Sequence, residues 1–143
     1  MRRRLEAMLR GEAPAPPVAR TVGMRFVALG DGEAVFELDV DPERHANPMG
    51  TLHGGILCDL ADAAMGCAYA SALEDGESFA TLELKINFLK PIWSGLVVAR
   101  ARVVKAGQAV GLFECDVEDA DGSLVARASS TCMTLRGEAA SGR

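Results

Sequence analysis

Apolar and polar residues alternate along several stretches of the chain, and this period of two is typical of half-buried β-strands. In the clearest stretch, residues 79–89, apolar side chains share one face, and Thr81, Glu83 and Lys85 lie on the other. Short segments rich in Gly, Pro and Asp separate the stretches and indicate turns. The pattern predicts strands at residues 21–29, 33–40, 79–89, 96–104, 109–118 and 123–135.

One long stretch, residues 54–73, shows helical periodicity instead. It starts at the helix breakers Gly54 and Gly55 and ends before residues 74–76, which read Glu-Asp-Gly. Apolar side chains cover most of its circumference, which predicts a helix in the protein interior. A second interpretation stays open, because the remaining residues share one stripe that could face water. The stripe contains Gly55, Asp59, Asp62, Gly66 and Tyr69.

The predicted order of elements is two strands, one buried helix and four strands joined by short turns. Strands joined by short turns pair antiparallel, so the order predicts an α+β fold rather than a wound parallel sheet. One antiparallel sheet wrapped around one long central helix would explain why that helix is apolar on nearly every side. A small sheet also has exposed edges, which favours oligomers joined edge to edge.

The two ends of the chain are predicted to be peripheral to this core. Residues 2–10 suit a short surface helix, which the prolines of residues 12–17 must end because proline lacks the N–H that a helix needs. Residues 41–51 are polar and rich in Gly and Pro, and they indicate a loop. We therefore expect an N-terminal helix with a proline-rich linker (1–19), one domain (20–136) and a flexible tail (137–143).

Composition and charge narrow the classes of function. The chain has 143 residues, of which 49% are hydrophobic and 24% charged, as in a globular protein of one domain. Its net charge of −5 argues against nucleic-acid binding, which needs a basic surface. The most apolar stretch, residues 60–73, is too short for a membrane span and contains Asp62. No apolar segment follows the Arg-rich N-terminus, so we expect no secretory signal and a cytoplasmic protein.

The cysteines and histidines do not form a recognisable metal site. His45 and His53 are not part of an HExxH motif, and no cysteine belongs to a CxxC pair. The chain also lacks a G-x-S-x-G nucleophile motif. We therefore expect no metal, no cofactor and four free thiols in a reducing compartment. The cysteines are Cys58, Cys67, Cys115 and Cys132.

The predicted helix carries the candidates for chemistry. Backbone N–H groups at Gly54 and Gly55 can bind an anion or a developing oxyanion, although a flexible turn would also explain two glycines. Asp62 is a candidate because a carboxylate on a buried helix is costly unless it is paired or used. Asp59 lies one turn earlier, where a carboxylate suits the helix dipole, and we interpret it as structural. His53 suits acid–base chemistry, ligand contact or the orientation of its loop.

The stretch around these residues resembles a known family signature. The pattern Asn47-x-x-Gly50-x-x-His53-Gly54-Gly55, followed by Leu60-x-Asp62-x-Ala64, is similar to that of the PaaI-like (phenylacetic acid degradation) hotdog thioesterases. The likeness continues through residues 81–91 and covers about residues 20–136. It implies the hotdog fold, in which a curved antiparallel sheet surrounds one long helix. It also implies hydrolysis of acyl-CoA thioesters to a carboxylic acid and coenzyme A.

The resemblance assigns roles by position. Asp62 matches the catalytic carboxylate, and Gly54 matches the backbone N–H donor that polarises the thioester carbonyl. Asn47 matches a polar side chain near that carbonyl and the attacking water. Thr81 matches a Ser/Thr that helps to hold the water. Substrate-binding positions are implied at Gly50, His53 and Gly55.

The resemblance further implies a homodimer, or a tetramer of two dimers, with active sites between subunits and no cofactor. Some branches of the family use a Ser/Thr one turn after the carboxylate, where this chain has Gly66. That role, where it is needed, falls to Thr81. Asp62 can activate water as a general base or attack the carbonyl itself, and the sequence does not choose between the two routes.

Two other functions fit the same fold. One is a non-catalytic module that binds acyl-CoA, and the other is an enoyl-CoA hydratase with an Asp/His pair. The retained Asp62 and the motif from Asn47 onwards favour the thioesterase. The acyl group stays open, because core packing explains the apolar residues that could line an acyl pocket. These residues are Met65, Phe79, Phe88 and Trp93.

Overall fold

A computed structural model describes residues 1–141 and contains one antiparallel sheet of six strands. The strand order across the sheet is β1-β2-β4-β5-β6-β3, so β1 and β3 form its two edges. The alternating pattern placed each strand, and the predicted α+β architecture is confirmed. The strands are β1 Arg25–Leu29, β2 Glu33–Val40, β3 Ser78–Phe88, β4 Gly95–Ala106, β5 Val110–Asp119 and β6 Leu124–Leu135.

One helix of 19 residues, α4 (Gly54–Ala72), packs against the sheet and forms the core with it. Leu60, Ala61 and Ala64 on its inner face have no exposed surface. Small alanines let the helix approach the strands closely, and the larger side chains of Leu38 and Phe113 fill the space from the sheet.

The expectation that α4 is buried on nearly every side is wrong for one face of its first half. Gly55, Asp59 and Asp62 are exposed in the single chain, whereas Gly66 is half-buried and Tyr69 is buried. The stripe along the helix therefore faces outward over its first two turns and becomes covered as the helix runs on.

Two short helices form where the sequence pattern predicted a strand and a loop. The predicted strand at residues 21–29 is wrong in its first part, because Pro17–Val22 form a helix, α2. Proline is favourable at the first helical position, and Gly23 ends the helix with a φ of +88°. The predicted loop at residues 41–51 contains α3 (Pro42–His45), which Asp41 caps by accepting a hydrogen bond from the Glu43 amide at 3.0 Å.

The N-terminal helix α1 (Arg2–Leu9) is confirmed and packs against α4 and β1. Leu5 is buried in this contact. In the predicted tail, Gly137–Ala140 form a short 3-10 helix, while residues 142 and 143 lie outside the described residues. The division of the chain at residues 19 and 136 stays a prediction.

The edge strand β3 carries apolar side chains that this chain leaves uncovered. Leu82, Phe88, Leu89 and Trp93 on β3 and the segment after it are each more than half exposed. A bulge between Thr81 and Glu83 interrupts the pairing of β3 with β6. None of the helices in residues 1–141 is both long enough and apolar enough to cross a membrane.

Candidate active site

Asp62 and Thr81 meet between the middle of α4 and the edge strand β3. The Thr81 hydroxyl donates a hydrogen bond to Oδ1 of Asp62 at 3.4 Å, and the Cys132 thiol donates to the Thr81 oxygen at 3.8 Å. Thr81 lies at the β3 bulge, where the local pairing shifts and side chains can be re-aimed. The structure thus brings together two residues that are far apart in sequence and that the family signature implied.

The environment of Asp62 changes its acidity. Burial against the protein raises the pKa of this carboxyl, the Thr81 hydrogen bond opposes the rise, and the negative charge of Asp59 adds to it. Burial disfavours the charged form of any carboxyl, which makes the carboxylate a stronger base once it is ionised. The side chain nevertheless stays exposed enough in the single chain for a ligand to reach it.

A large cavity adjoins this carboxylate. Its volume is about 990 Å³, and both Asp62 and Thr81 belong to its wall. Most of the rest is apolar: α4 contributes small residues such as Gly66, and the sheet contributes aromatic rings such as Phe26 and Phe79. The arrangement places a polar reactive group at the boundary of an apolar pocket, as in many small-molecule sites.

Cys67 also lines the cavity, but it is not an activated nucleophile. Burial, and next the negative charge of Asp62, raise the pKa of its thiol to about 12. A thiol with so high a pKa stays protonated at neutral pH, and the thiolate is the reactive form. Asp62 and Thr81, whose oxygen atoms also line the cavity, are therefore the candidates for its chemistry.

The start of α4 forms a second cluster of predicted residues. Nδ1 of His53 accepts a hydrogen bond from the Gly55 amide at 2.9 Å and caps the helix. Because this nitrogen is the acceptor, the neutral ring carries its proton on Nε2. The Gly54 amide has no hydrogen-bond partner within residues 1–141, so it is a free donor at the positive end of the helix dipole. His53 is thus a helix cap, and Gly54 is the candidate oxyanion donor.

Asn47 holds its own loop through every polar atom of its side chain. Nδ2 donates to the Thr51 hydroxyl at 2.9 Å, and Oδ1 accepts from the amides of Met49 and Thr51. Gly50 completes the turn with a φ of +82°, a conformation that side chains rarely adopt. Within the chain, Asn47 and Gly50 therefore shape the loop that leads into α4.

The two clusters do not meet inside one chain. Asp62 lies eight residues after Gly54 on the same helix, which is about 12 Å along the axis at about 1.5 Å per residue. One thioester carbonyl cannot contact both groups across that distance. The side chain of His45, the other histidine, is buried between the Asp41 amide and the Val22 carbonyl, and its backbone carbonyl accepts a hydrogen bond from the His53 amide at 2.8 Å.

The sequence pattern did not identify the residues of the N-terminal segment that line the cavity. Leu5 and Met8 of α1 face it, and so does Met24 just before β1. The spacing of Leu5 and Met8 is typical of one helix face and was a usable signal. Of the apolar residues considered for an acyl pocket, Phe79 lines the cavity. The other three do not: Met65 is in the core, and Phe88 and Trp93 are exposed at the β3 edge.

Comparisons with known proteins identify the family. Residues 49–126, more than half of the chain, match the model of the thioesterase superfamily. A 1,4-dihydroxy-2-naphthoyl-CoA hydrolase from Listeria monocytogenes is 33% identical over 99 residues, 69% of this chain and 80% of that protein. Acyl-coenzyme A thioesterase 13 from Pongo abelii is 28% identical over 134 residues, 92% of this chain and 94% of that protein.

A solved structure agrees with these matches. The phenylacetic acid degradation-related protein from Ralstonia eutropha superposes with a TM-score of 0.82 at 36% identity, covering 91% of this chain and 98% of that chain. The architecture is that of a hotdog-fold enzyme: a sheet surrounds one central helix, and a carboxylate lies beside an apolar cavity. The chain belongs to the thioesterase superfamily, and the predictions of a PaaI-like hotdog fold and of a thioester hydrolase are confirmed.

Proposed function

We propose that this chain hydrolyses acyl-CoA thioesters to a carboxylic acid and coenzyme A. The observation that carries the proposal is the Asp62 carboxylate at the wall of the apolar cavity, with the Thr81 hydroxyl bonded to it. The cavity suits an acyl group, and the carboxylate lies where the thioester carbon of that group would enter. The Listeria relative is named as a hydrolase of a CoA thioester and the Pongo relative as an acyl-coenzyme A thioesterase, and both names support the same substrate class.

In the proposed mechanism, Asp62 supplies the base or the nucleophile. As a base it takes a proton from a water whose oxygen attacks the thioester carbon, while Thr81 helps to hold that water. As a nucleophile its oxygen attacks the carbon to give a mixed anhydride, which water then cleaves. In both routes the carbon–sulfur bond breaks, and the sulfur leaves as the thiolate of coenzyme A and takes up a proton.

The Gly54 amide is proposed to donate a hydrogen bond to the carbonyl oxygen as it becomes negative. A preorganised backbone donor of this kind is worth about 10²–10³ in kcat. Because Gly54 and Asp62 lie too far apart to serve one carbonyl, we propose that each active site combines Asp62 of one subunit with Gly54 of another. The His53 cap holds the first turn of α4, from which this amide would donate.

We further propose that the chain assembles through β3 into a homodimer or a tetramer of two dimers. The β3 edge offers unpaired backbone groups together with the exposed side chains of Leu82 and Phe88, a combination that favours pairing with another strand. The same contact would cover the outward face of α4 at Asp59 and Asp62. A stable, folded monomer with full turnover would contradict this assembly.

The test is thiol release from a panel of acyl-CoAs by wild type, Asp62→Asn and the matched control Asp59→Asn. Asp59 lies on the same face of α4, is exposed, and has no hydrogen bond to Thr81, so its amide variant should keep wild-type kcat at a pH where Asp62 is fully ionised in both proteins. Asp62→Asn should lose about 10²–10⁴-fold in kcat, the usual contribution of a positioned base.

The alternatives give different results in the same assay. Equal rates for wild type and Asp62→Asn would remove this carboxylate from the mechanism. Binding of acyl-CoA without thiol release would favour a non-catalytic module. Loss of the enoyl absorbance of crotonyl-CoA without thiol release would indicate a hydratase.

A further inference from the structure

The cavity beside Asp62 reaches far beyond the reacting groups, as far as the N-terminal part of the chain. Leu5 and Met8 of α1 form part of its wall, together with residues 15, 16, 18 and 19, which lead into and begin α2. The match to the thioesterase superfamily begins at residue 49. This part of the wall therefore lies outside the residues that match the family model.

The cavity is large for a small acyl group. A cavity of about 150 Å³ is enough to hold a benzene molecule, whereas this one has a volume of about 990 Å³. Pockets for whole small molecules range over about 300–1,000 Å³. An acetyl group or a single aromatic ring would leave most of this space unfilled.

The lining of the cavity suits an apolar group. Two of its charged residues, Arg25 and Glu77, are paired with partners outside the wall: Arg25 with Asp39 at 2.6 Å and Glu77 with Arg136 at 2.6 Å. Arg4 is exposed to solvent. The uncharged lining is mainly alkyl and aromatic, so the favourable contacts available to a ligand come from burial of apolar surface.

The N-terminal wall is attached to the fold by specific contacts. The Arg2 guanidinium donates to the Ser71 carbonyl at 3.2 Å and to Oδ1 of Asp31 at 3.1 Å, which ties α1 to the end of α4 and to the turn between β1 and β2. At the other end of the segment, Nε2 of His45 donates to the Val22 carbonyl at 2.9 Å and holds α2. Leu5 is buried between these attachments. The wall therefore has a defined position relative to Asp62.

We propose that this cavity binds the acyl part of the substrate, that it takes apolar acyl groups larger than one aromatic ring, and that α1 limits their length through Met8. The inference rests on the proposed function, because it places the thioester carbon at Asp62 and directs the acyl group away from it, towards α1. The N-terminal segment is then a determinant of specificity rather than a peripheral extension. Its Met8 side chain is flexible, as is common where a wall must fit irregular ligands.

The test compares wild type with two variants at Met8 that change the cavity in opposite directions. Met8→Trp reduces the space at the wall that α1 forms, and Met8→Ala enlarges it. Arg3→Trp is the matched control, since Arg3 is exposed on α1 and is not part of the cavity wall. Initial rates of thiol release are measured with acetyl-, benzoyl-, decanoyl- and palmitoyl-CoA to give kcat/KM for each protein. Thermal unfolding of every variant reports on folding.

Wild type should prefer decanoyl- or palmitoyl-CoA to acetyl- and benzoyl-CoA. Each buried methylene contributes about fourfold to binding, so displacement of two or more by Met8→Trp should lower kcat/KM for the longest substrate more than about tenfold. Met8→Ala should shift the preference towards palmitoyl-CoA, and Arg3→Trp should keep the wild-type profile. A folding defect would lower all four rates together, so it cannot imitate these opposite shifts.

Other results separate this inference from the proposed function. The inference is overturned when wild type hydrolyses acyl-CoAs but both Met8 variants keep its profile, or when acetyl- and benzoyl-CoA are its best substrates. Absence of thiol release from every acyl-CoA would instead overturn the proposed function, and the inference with it.

Discussion

Replacement of Gly54 by alanine probes how the first turn of α4 contributes to turnover. A Cβ atom at this position would lie 2.8 Å from Cζ of Phe88 and 3.1 Å from its Cε2. Carbon atoms pack best at about 3.5–4.0 Å, so the ring, the helix turn or both must move. The Phe88 ring is 54% exposed and can take up part of the movement. The remainder shifts the backbone that carries the Gly54 amide.

The expected size of the effect follows from this geometry. Complete loss of an oxyanion donor costs about 10²–10³ in kcat, and a misplacement of about 1 Å can cost about 10²-fold. Because the exposed ring absorbs part of the strain, we expect Gly54→Ala to lower kcat about tenfold, which is less than either full effect. KM should change little, since the carbonyl oxygen gains most of its charge in the transition state.

The assay is steady-state thiol release, with kcat and KM determined separately for Gly54→Ala, Phe88→Ala and the double variant. Removal of the ring also removes the clash, so the double variant should match Phe88→Ala within about twofold. Light scattering is the control for the oligomeric state of each protein, because Phe88 lies on the β3 edge through which we propose that the chain assembles. A double variant as slow as Gly54→Ala would show that the steric explanation is wrong. Full kcat in Gly54→Ala itself would show that this amide does not stabilise the oxyanion.

Two further predictions concern pH and stability. Only the ionised form of Asp62 can serve as base or nucleophile, so kcat/KM should fall as pH falls through the pKa of Asp62. Thr81→Val removes the hydrogen bond that lowers this pKa, so the acid limb of its pH–rate profile should move to higher pH. Asp59→Asn removes a charge that raises the pKa of Asp62 and should move the same limb to lower pH, both limbs being read from pH–rate profiles. His45→Leu leaves the buried amide of Asp41 and a carbonyl of α2 without their partner, and should lower the free energy of unfolding in urea by about 2–4 kcal/mol. An unchanged urea midpoint would show that water satisfies both groups.

The sequence specified the interior of the sheet well, because β2 and β5 bury alternate residues. In β2 the burial alternates strictly from Ala34 to Leu38, which is the pattern that defines a half-buried strand. The wrong strand prediction at residues 21 and 22 has a physical cause. Val18, Thr21 and Val22 are β-branched and favour extended structure, but Pro17 at the first helical position and the left-handed Gly23 fix a short helix instead. Those two end signals were visible in the sequence and outweigh the propensity of the residues between them.

The site was predictable only in part. Some of its residues belong to one local motif, whereas others reach the site only through contacts between elements that are distant in sequence. The local motif pointed to Asp62 and the glycines of α4 as candidates, and it left a structural role for His53 open, which the helix cap now specifies. Thr81 reaches Asp62 only because β3 passes beside the middle of α4. The spacing of Leu5 and Met8 indicates an apolar face on α1, but which elements that face packs against, β1 and α4, depends on tertiary contacts that the spacing does not contain.

The outward stripe on α4 can be interpreted as a face in contact with water or as a reactive face. Both interpretations fit the same geometry. A carboxylate buried on every side would hold a proton at neutral pH, and no thioester could reach it. A carboxylate surrounded by water would be reachable but would be only an ordinary, weak base. Asp62 lies between these extremes, with protein and the Thr81 hydroxyl on one side and open space on the other. A reactive carboxylate of this kind must look partly exposed in an isolated chain, so exposure of Asp62 is what the proposed chemistry requires.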